Sequence, residues 1–460
     1  MEPVRTSAGG FGTLLRLAWP VVLSRASQAV IGFTDAAMVA SLGEDAVAAA
    51  TTGASNSMNL FILPMGVVFI VQSFTAQLVG SGDAVGSRRY AWYGLMVAAA
   101  SGVLIAAAMP AVSPVVAALG YSASVSELLA DYMVLRMASC AAVVGIEALA
   151  NWYGGLGNTR LPMVINFVAM ALNIAFNWVL IYGNLGAPAM GVRGAAIAST
   201  LASWLAFALL LGLFVGRFGL GPRPPGGRAR LHVAELRRML RFGLPSGFNW
   251  FLEFAAFTFF INFIVADLGT TAVAALMAVV QVNSIAFMPS FGLASAGAIL
   301  VGQAIGNDRK HEVPGVVRHT MVVCVAWQLL VGTIYASFPA TVMSVFESDE
   351  LGSHTLVELA ASLLLISTAW QLFDAVGMTL SEALRAAGDT AWCMWARVVL
   401  AWVLFVPLAT WGVIAHGMGP VGATACLVVY TIALALVLLW RFRSGAWRRI
   451  DLTGSAAPPV

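Results

Sequence analysis

Residues 14–40 read LLRLAWPVVLSRASQAVIGFTDAAMVA, a stretch dominated by apolar side chains. About 20 such residues suffice for a helix to cross a bilayer. One carboxylate, Asp35, sits toward the far end of the stretch. A charge in the hydrocarbon costs roughly 3 kcal/mol on insertion scales, so a chain that keeps one there binds something with it: a proton, an ion or a cationic ligand. Two further carboxylates, Glu253 and Asp374, lie in runs of the same kind.

Composition extends that character to the whole chain. Of 460 residues, 60% are hydrophobic and 10% charged, where a soluble domain carries about 25% charged residues. The 45 glycines suit close packing of helices in lipid. Apolar runs at 14–40, 48–80, 90–115, 128–155, 162–183, 190–216, 242–267, 274–305, 317–346, 357–385, 392–415 and 420–441 predict twelve transmembrane helices. The runs are continuous rather than alternating, which excludes barrel strands. Cys140, Cys324, Cys393 and Cys426 lie in apolar runs without paired spacing and read as buried free thiols. The first residues lack the short apolar core and cleavage site of a signal peptide, so the first span is expected to direct its own insertion.

Loop charges orient the spans. Arg88, Arg89, Arg160, Arg309, Lys310 and Arg318 follow even-numbered spans. Arg217, Arg223, Arg228, Arg230, Arg237, Arg238 and Arg241 follow the sixth, and Arg441, Arg443, Arg448 and Arg449 follow the last. The opposite loops hold Glu44, Asp45, Asp267, Glu347, Asp349 and Glu350, with Arg193 the basic exception. Lys and Arg collect on the cytoplasmic side, so both termini are expected inside, at a bacterial inner membrane. The Pro/Gly-rich basic stretch 217–241 is expected to join an N-terminal six-helix lobe (1–216) to a C-terminal one (242–443), with a cytoplasmic tail at 444–460. Its arginines read as anchors at anionic headgroups rather than as a nucleic-acid surface.

An internal repeat supports the halving. Leu-Ala-Trp-Pro20 corresponds to Phe-Gly-Leu-Pro245, Leu42-Gly43 to Leu268-Gly269, and Gln77-Leu-Val-Gly80 to Gln303-Ala-Ile-Gly306. Gly157-Asn158-Thr159 corresponds to Gly388-Asp389-Thr390, and Gly191-Val-Arg-Gly194 to Gly419-Pro-Val-Gly422. Two units in the same orientation are parallel repeats, an architecture that places a substrate site where the repeats meet. The expected fold is an all-α polytopic membrane protein of twelve helices in two six-helix lobes around a central cleft.

These residues resemble the multidrug and toxic compound extrusion (MATE) transporters along nearly the whole chain. The resemblance rests on Asp35-Ala-Ala-Met-Val-Ala-Ser-Leu-Gly43, Pro64-Met-Gly-Val with Gln72, Gly157-Asn-Thr-Arg-Leu-Pro162, Asn173-Ile-Ala-Phe-Asn177, Gly191–Ala196 and Val301-Gly302-Gln303-Ala-Ile-Gly306. The match is strongest to the NorM-type branch, whose acidic residues in spans 7 and 10 fall on Glu253 and Asp374. That branch's span-1 Asp falls on Asp35 and its span-5 amides on Asn173 and Asn177. Trp370 stands where some members have a cation-binding tyrosine. The resemblance implies secondary active antiport: export of organic cations and drugs in exchange for Na⁺ or H⁺.

The polar groups can be read on their own spacing. Glu253 lies 12 residues beyond Arg241, roughly 18 Å along a helix, near mid-bilayer, with Asn249 and Phe257 one turn away on the same face. Asp374 has Trp370 and Met378 on its face. Two mid-depth carboxylates in one half can share a proton or a Na⁺, and a lipophilic cation can replace either. Asn173 and Asn177 are four apart, hence on one face. With Asp35 they offer hard oxygens suited to Na⁺, or equally a hydrogen-bonded proton site. Asn249, Trp250, Phe254, Phe257, Gln281, Asn283, Phe287, Met288 and Trp370 are the candidate cargo-contacting residues, the aromatics and Met288 through cation–π and soft contacts. Glu382 and Arg385 read as a structural ion pair, Asp131 and Arg136 as boundary residues, Arg25 as structural, and Glu147 as a carboxylate without a visible partner.

Two other classes compete. A flippase for lipid-linked precursors, in the same wider superfamily, keeps the fold but needs basic groups to meet pyrophosphate, and the mid-membrane charges here read as mostly acidic. A membrane-embedded transferase needs a metal-binding acidic cluster or a nucleophile–base pair, and neither is visible; nor is a GxSxG, HExxH or P-loop motif. The expectation is therefore a transporter rather than an enzyme, with no cofactor beyond its coupling ion. It is expected to act as a monomer in the lipid bilayer, with small organic cations and not nucleic acid as partners.

Overall fold

The computed structural model describes residues 10–216, 221–222, 230–346 and 353–454. The loop charges at Arg217, Arg223, Arg228, Glu347, Asp349 and Glu350 lie outside those residues, as does the end of the tail. No strand occurs among the described residues. The helices follow the apolar runs: α1 (Phe11–Ala40), α2 (Glu44–Gly80), α3 (Arg88–Ala117), α4 (Ala123–Met137 with Cys140–Gly155), α5 (Arg160–Tyr182) and α6 (Gly191–Val215). After them come α7 (Val233–Leu268), α8 (Thr270–Gly306), α9 (Val313–Ser337), α10 (Ser353–Ala386), α11 (Thr390–Ala415) and α12 (Pro420–Arg443).

Ten of these are long and apolar enough to cross a membrane, and α4, bent by 46° at its break, makes eleven. The one left out is α1, the stretch that opens the chain's apolar series. Ser24, Arg25, Ser27 and Gln28 dilute its middle, so apolarity alone does not bring the count to twelve. Prolines lie inside α1 (Pro20), α2 (Pro64), α7 (Pro245) and α8 (Pro289). Each lacks the N–H that the helical ladder needs, so one backbone hydrogen bond is missing at each.

The chain packs as two compact units. One contains the chain up to Val22 and from Phe248 onward; the other is Leu23–Gly247. α1 and α7 therefore each change unit midway, which the six-span repeat does not announce. Glycine explains both crossings. In the second unit the first half of α7 carries Gly243 and Gly247, four apart on one face. A Cβ at Gly247 would stand 2.6 Å from the Leu63 carbonyl oxygen, and one at Gly66 would stand 2.7 Å from Gly247 Cα. Backbone lies on backbone there, as small-xxx-small pairs permit. In the first unit a Cβ at Gly292 would meet Val22 Cγ2 at 2.7 Å. Gly66 and Gly292 are 226 apart (292 − 66), within the repeat offset, so the same contact is built twice.

Polar side chains then tie the helices of each unit. In the first unit, Trp327 Nε1 donates to the Ala286 carbonyl at 2.9 Å and Tyr335 Oη to the Val282 carbonyl at 3.0 Å, pinning α9 to α8. In the second, the buried Arg88 donates to the Phe214 carbonyl at 2.5 Å and covers the Phe214 ring at 4.0 Å. Arg89 pairs with Glu235 at 3.0 Å, and Tyr93 Oη accepts from the His232 backbone N–H and donates to Glu235, both at 2.8 Å. These arginines thus hold the end of α6 and the start of α7 as well as marking a loop. Arg193, the basic exception, is matched by Asp131 at 2.5 Å and Glu127 at 3.7 Å. Glu382 and Arg385 form the buried ion pair their spacing suggests.

Candidate functional site

The Leu23–Gly247 unit gathers four polar residues from three helices. Asn173 and Asn177 face the same way on α5, as their spacing requires. A Cβ at Gly194 would sit 2.5 Å from the Leu180 carbonyl oxygen, so α5 and α6 run close enough for Ser199 to reach them. Asp35 of α1 completes the group. Its Oδ1 accepts from Asn177 Nδ2 at 2.5 Å and its Oδ2 accepts from Ser199 Oγ at 3.0 Å. Asn173 Nδ2 donates to Ser199 Oγ at 2.9 Å, and Asn177 Nδ2 also reaches Asn173 Oδ1 at 3.3 Å. Asn173, Asn177 and Ser199 are buried. Asn177 Oδ1 has no hydrogen-bond partner among the described residues. Asp35 makes no ion pair among the described residues; its partners are neutral donors, and Arg136 acts on it only through space. A carboxylate, an amide oxygen with a spare lone pair and a hydroxyl are oxygens that a Na⁺ accepts as ligands. The same carboxylate can instead take a proton.

The other unit assembles a cluster of different character. Glu253, about halfway along α7, forms an ion pair with Arg397 of α11. Asp374 of α10 makes no hydrogen bond among the described residues but lies within electrostatic range of both. Tyr430 of α12 is buried within range of all three, and its hydroxyl has no hydrogen-bond partner. One turn before Glu253, the buried Asn249 likewise leaves its Oδ1 unpartnered. Arg397 adds a permanent cation that the sequence reading did not weigh, while the charges stay mostly acidic. It stands seven residues into α11, a position that reads as a helix-end cation, and its long stem carries the guanidinium inward to a carboxylate.

The remaining candidates are placed as follows. Asn283 is buried and its Oδ1 accepts from Gln371 Nε2 and, at 3.3 Å, from Ser367 Oγ, which locks α8 to α10. Gln281 is exposed on another face. Trp250 stands edge-on to Phe291 at 6.0 Å, and Phe291 stacks with Phe287 at 6.1 Å. Phe257 lies 6.4 Å from Phe260. Phe254 and Met288 are half-buried and Trp370 is buried. Arg25 and Glu147 find each other at 2.7 Å, supplying the partner that Glu147 lacked in the sequence. Ser199, Arg397, Gln371, Phe291 and Tyr430 were not singled out in the sequence. Of these, only Arg397 carries a signal there, as an arginine within an apolar run.

An all-α, multi-pass membrane protein with one acidic cluster in each packing unit is what fold and sites define. The MatE family model matches residues 20–179 and again 245–411, two stretches whose starts are 225 apart (245 − 20). The chain belongs to the MatE family, the multidrug and toxic compound extrusion transporters. It is 30% identical over 348 residues to the probable multidrug resistance protein NorM of Neisseria meningitidis serogroup B, covering 73% of each chain. To the probable multidrug resistance protein NorM of Bradyrhizobium diazoefficiens it is 29% identical over 461 residues, covering 97% of this chain and 96% of that one. Among solved structures, a MOP superfamily transporter from Pyrococcus furiosus matches with a TM-score of 0.87 at 20% identity, covering 96% of this chain and 97% of that one. That likeness shows the fold.

Proposed function

We propose that the chain is a secondary antiporter that exports organic cations, drugs among them, in exchange for Na⁺ or H⁺. The observation that carries this is Asp35: a carboxylate within the apolar α1 held by Asn177 and Ser199 with no ion-pair partner among the described residues. A permanent cation beside it would make it a structural charge; neutral donors leave it free to trade a proton or a metal ion for a cationic cargo. In this reading Asp35, Asn173, Asn177 and Ser199 are the coupling site. The Glu253–Arg397 pair already fills one carboxylate of the other cluster, so a small metal ion is better served at Asp35. The names of the NorM relatives, multidrug resistance proteins, agree with this cargo class.

The same reading makes α1 the twelfth span despite its polar middle, with both termini and the basic loops on the cytoplasmic face of a bacterial inner membrane. The protein works as a monomer in this reading. The test is transport in proteoliposomes with a pH gradient or a Na⁺ gradient imposed separately. One gradient is expected to drive efflux of a fluorescent organic cation, and Asp35→Asn is expected to reduce it to the level of empty liposomes while the protein stays monodisperse. Undiminished gradient-driven efflux by that variant would overturn the assignment of Asp35.

A further inference from the structure

Arg397 is the one member of the Glu253 cluster that no exchange of cations explains. An arginine keeps its proton in proteins, so it contributes a permanent positive charge. Here it is spent on Glu253. The Arg397 side chain is 12% exposed and that of Glu253 is 42% exposed, so the pair is buried on the arginine side and open on the carboxylate side. Asp374 lies within electrostatic range of both and makes no hydrogen bond among the described residues. With both carboxylates ionised, two negative charges face one fixed positive one, and the cluster carries a net charge of −1. The cluster also holds polar capacity that the ion pair leaves unused: the Tyr430 hydroxyl and Asn249 Oδ1, both buried without a partner.

We propose that Arg397 is a specificity-determining residue, an internal cation that withdraws one carboxylate from cargo recognition so that the cluster accepts monocations and disfavours dications. A singly charged aromatic cation neutralises the remaining charge. A doubly charged one brings a positive charge that no carboxylate meets, next to a guanidinium that repels it. This rests on the proposed export of organic cations and adds to it the charge of the cargo.

The test is fluorescence binding to the purified protein of ethidium, which carries one charge, and propidium, the same ring system with a second cationic arm. Wild type is expected to bind ethidium at least about tenfold more tightly, a factor equivalent to about 1.4 kcal/mol. Arg397→Gln raises the net charge to −2 and is expected to abolish or reverse that preference. Arg397→Lys keeps it. The double variant Glu253→Gln/Arg397→Gln returns the cluster to −1 without an unpaired charge and is expected to restore it, which loss of a merely structural ion pair does not predict. Should Arg397→Gln not fold, Glu253→Gln alone decides: it frees Arg397 for Asp374 and is expected to lose ethidium, while the double variant retains it. Equal binding of the two dyes by wild type would overturn the inference. So would an unchanged ratio in Arg397→Gln, or a Glu253→Gln variant that binds ethidium as the double variant does. If wild type binds neither dye and moves neither under any gradient, the antiporter reading falls and this inference with it. Transport with a ratio insensitive to Arg397 removes this inference alone.

Discussion

Asp35 and Glu253 are both carboxylates within apolar helices, one toward the end of α1 and one about halfway along α7, one in each packing unit, and their partners differ in kind. Asp35 is met by an amide and a hydroxyl, Glu253 by a guanidinium. Neutral donors orient a carboxylate without cancelling its charge; an arginine cancels it, and Asp374 is then the carboxylate of that cluster without an ion pair among the described residues. The repeat makes the contrast sharper. Arg397 corresponds by the 231-residue offset to Asn166 (397 − 231), and Asn166 donates to Ser24 of α1 at 2.5 Å. By the 225-residue offset of the first helices Ser24 corresponds to Asn249 (249 − 24), one turn before Glu253, so corresponding positions on α5 and α11 reach α1 and α7 one turn apart, the first by a neutral hydrogen bond and the second by an ion pair. The duplicated scaffold has shifted the contact by one turn and changed its electrostatics, so the two acidic clusters are unlike.

The largest expected effect separates the Asp35 carboxylate from the neutral contact on the same helix. Asp35→Asn is expected to remove gradient-driven efflux altogether, whereas Ser24→Ala, at the neutral contact, leaves it intact; transport in liposomes under each gradient reads both. Stability separates the ion pairs next. Arg25 and Glu147 are 17% and 8% exposed in their side chains, so Glu147→Gln strands a buried cation and is expected to cost about 3–5 kcal/mol. Glu253→Gln removes a half-open carboxylate, for which about 1 kcal/mol is expected. Thermal unfolding in detergent compares them, and equal losses would break the distinction between a structural and a working ion pair. Gly247→Val pushes a branched side chain onto the Leu63 carbonyl and is expected to cost about 1–3 kcal/mol by overpacking, seen as a lowered midpoint in the same unfolding experiment. Ser199→Ala takes one of two donors from Asp35. About 1.5 kcal/mol, or roughly tenfold, is expected from kinetics at graded Na⁺ or pH: a rise in the Na⁺ concentration at half-maximal transport if Na⁺ drives it, and a fall in the H⁺ concentration if H⁺ does, because loss of a donor eases protonation of the carboxylate.

The apolar runs, the duplication and the one-face pairing of Asn173 with Asn177 are periodic properties, and periodicity survives in a linear text. That Asp35 meets those asparagines followed from the family resemblance together with that spacing. Ser199 escaped notice because a serine in an alanine-rich helix looks like a packing residue. Its role comes from a partner 164 positions away. Arg397 escaped for a related reason: seven residues from a helix start, it looks like an interface anchor until α7 is laid beside α11. The count of spans shows the converse case. The length of α1 predicts a span, yet it is not among the helices apolar enough to cross a membrane, and its Arg25 and Gln28 serve contacts inside the unit.

The exchange of half-helices by α1 and α7 has a consequence for how the chain is strung. The basic stretch after α6 looks like the tether between halves, yet Leu23–Gly247 is a single uninterrupted segment that contains it. Topologically that segment is an insertion, entered and left through the helix interiors at 22–23 and 247–248, two residues beyond Pro20 and Pro245. A nick in the basic stretch therefore cuts neither covalent crossing. Both covalent crossings therefore run through helix rather than through a slack loop, each with a missing backbone hydrogen bond close by.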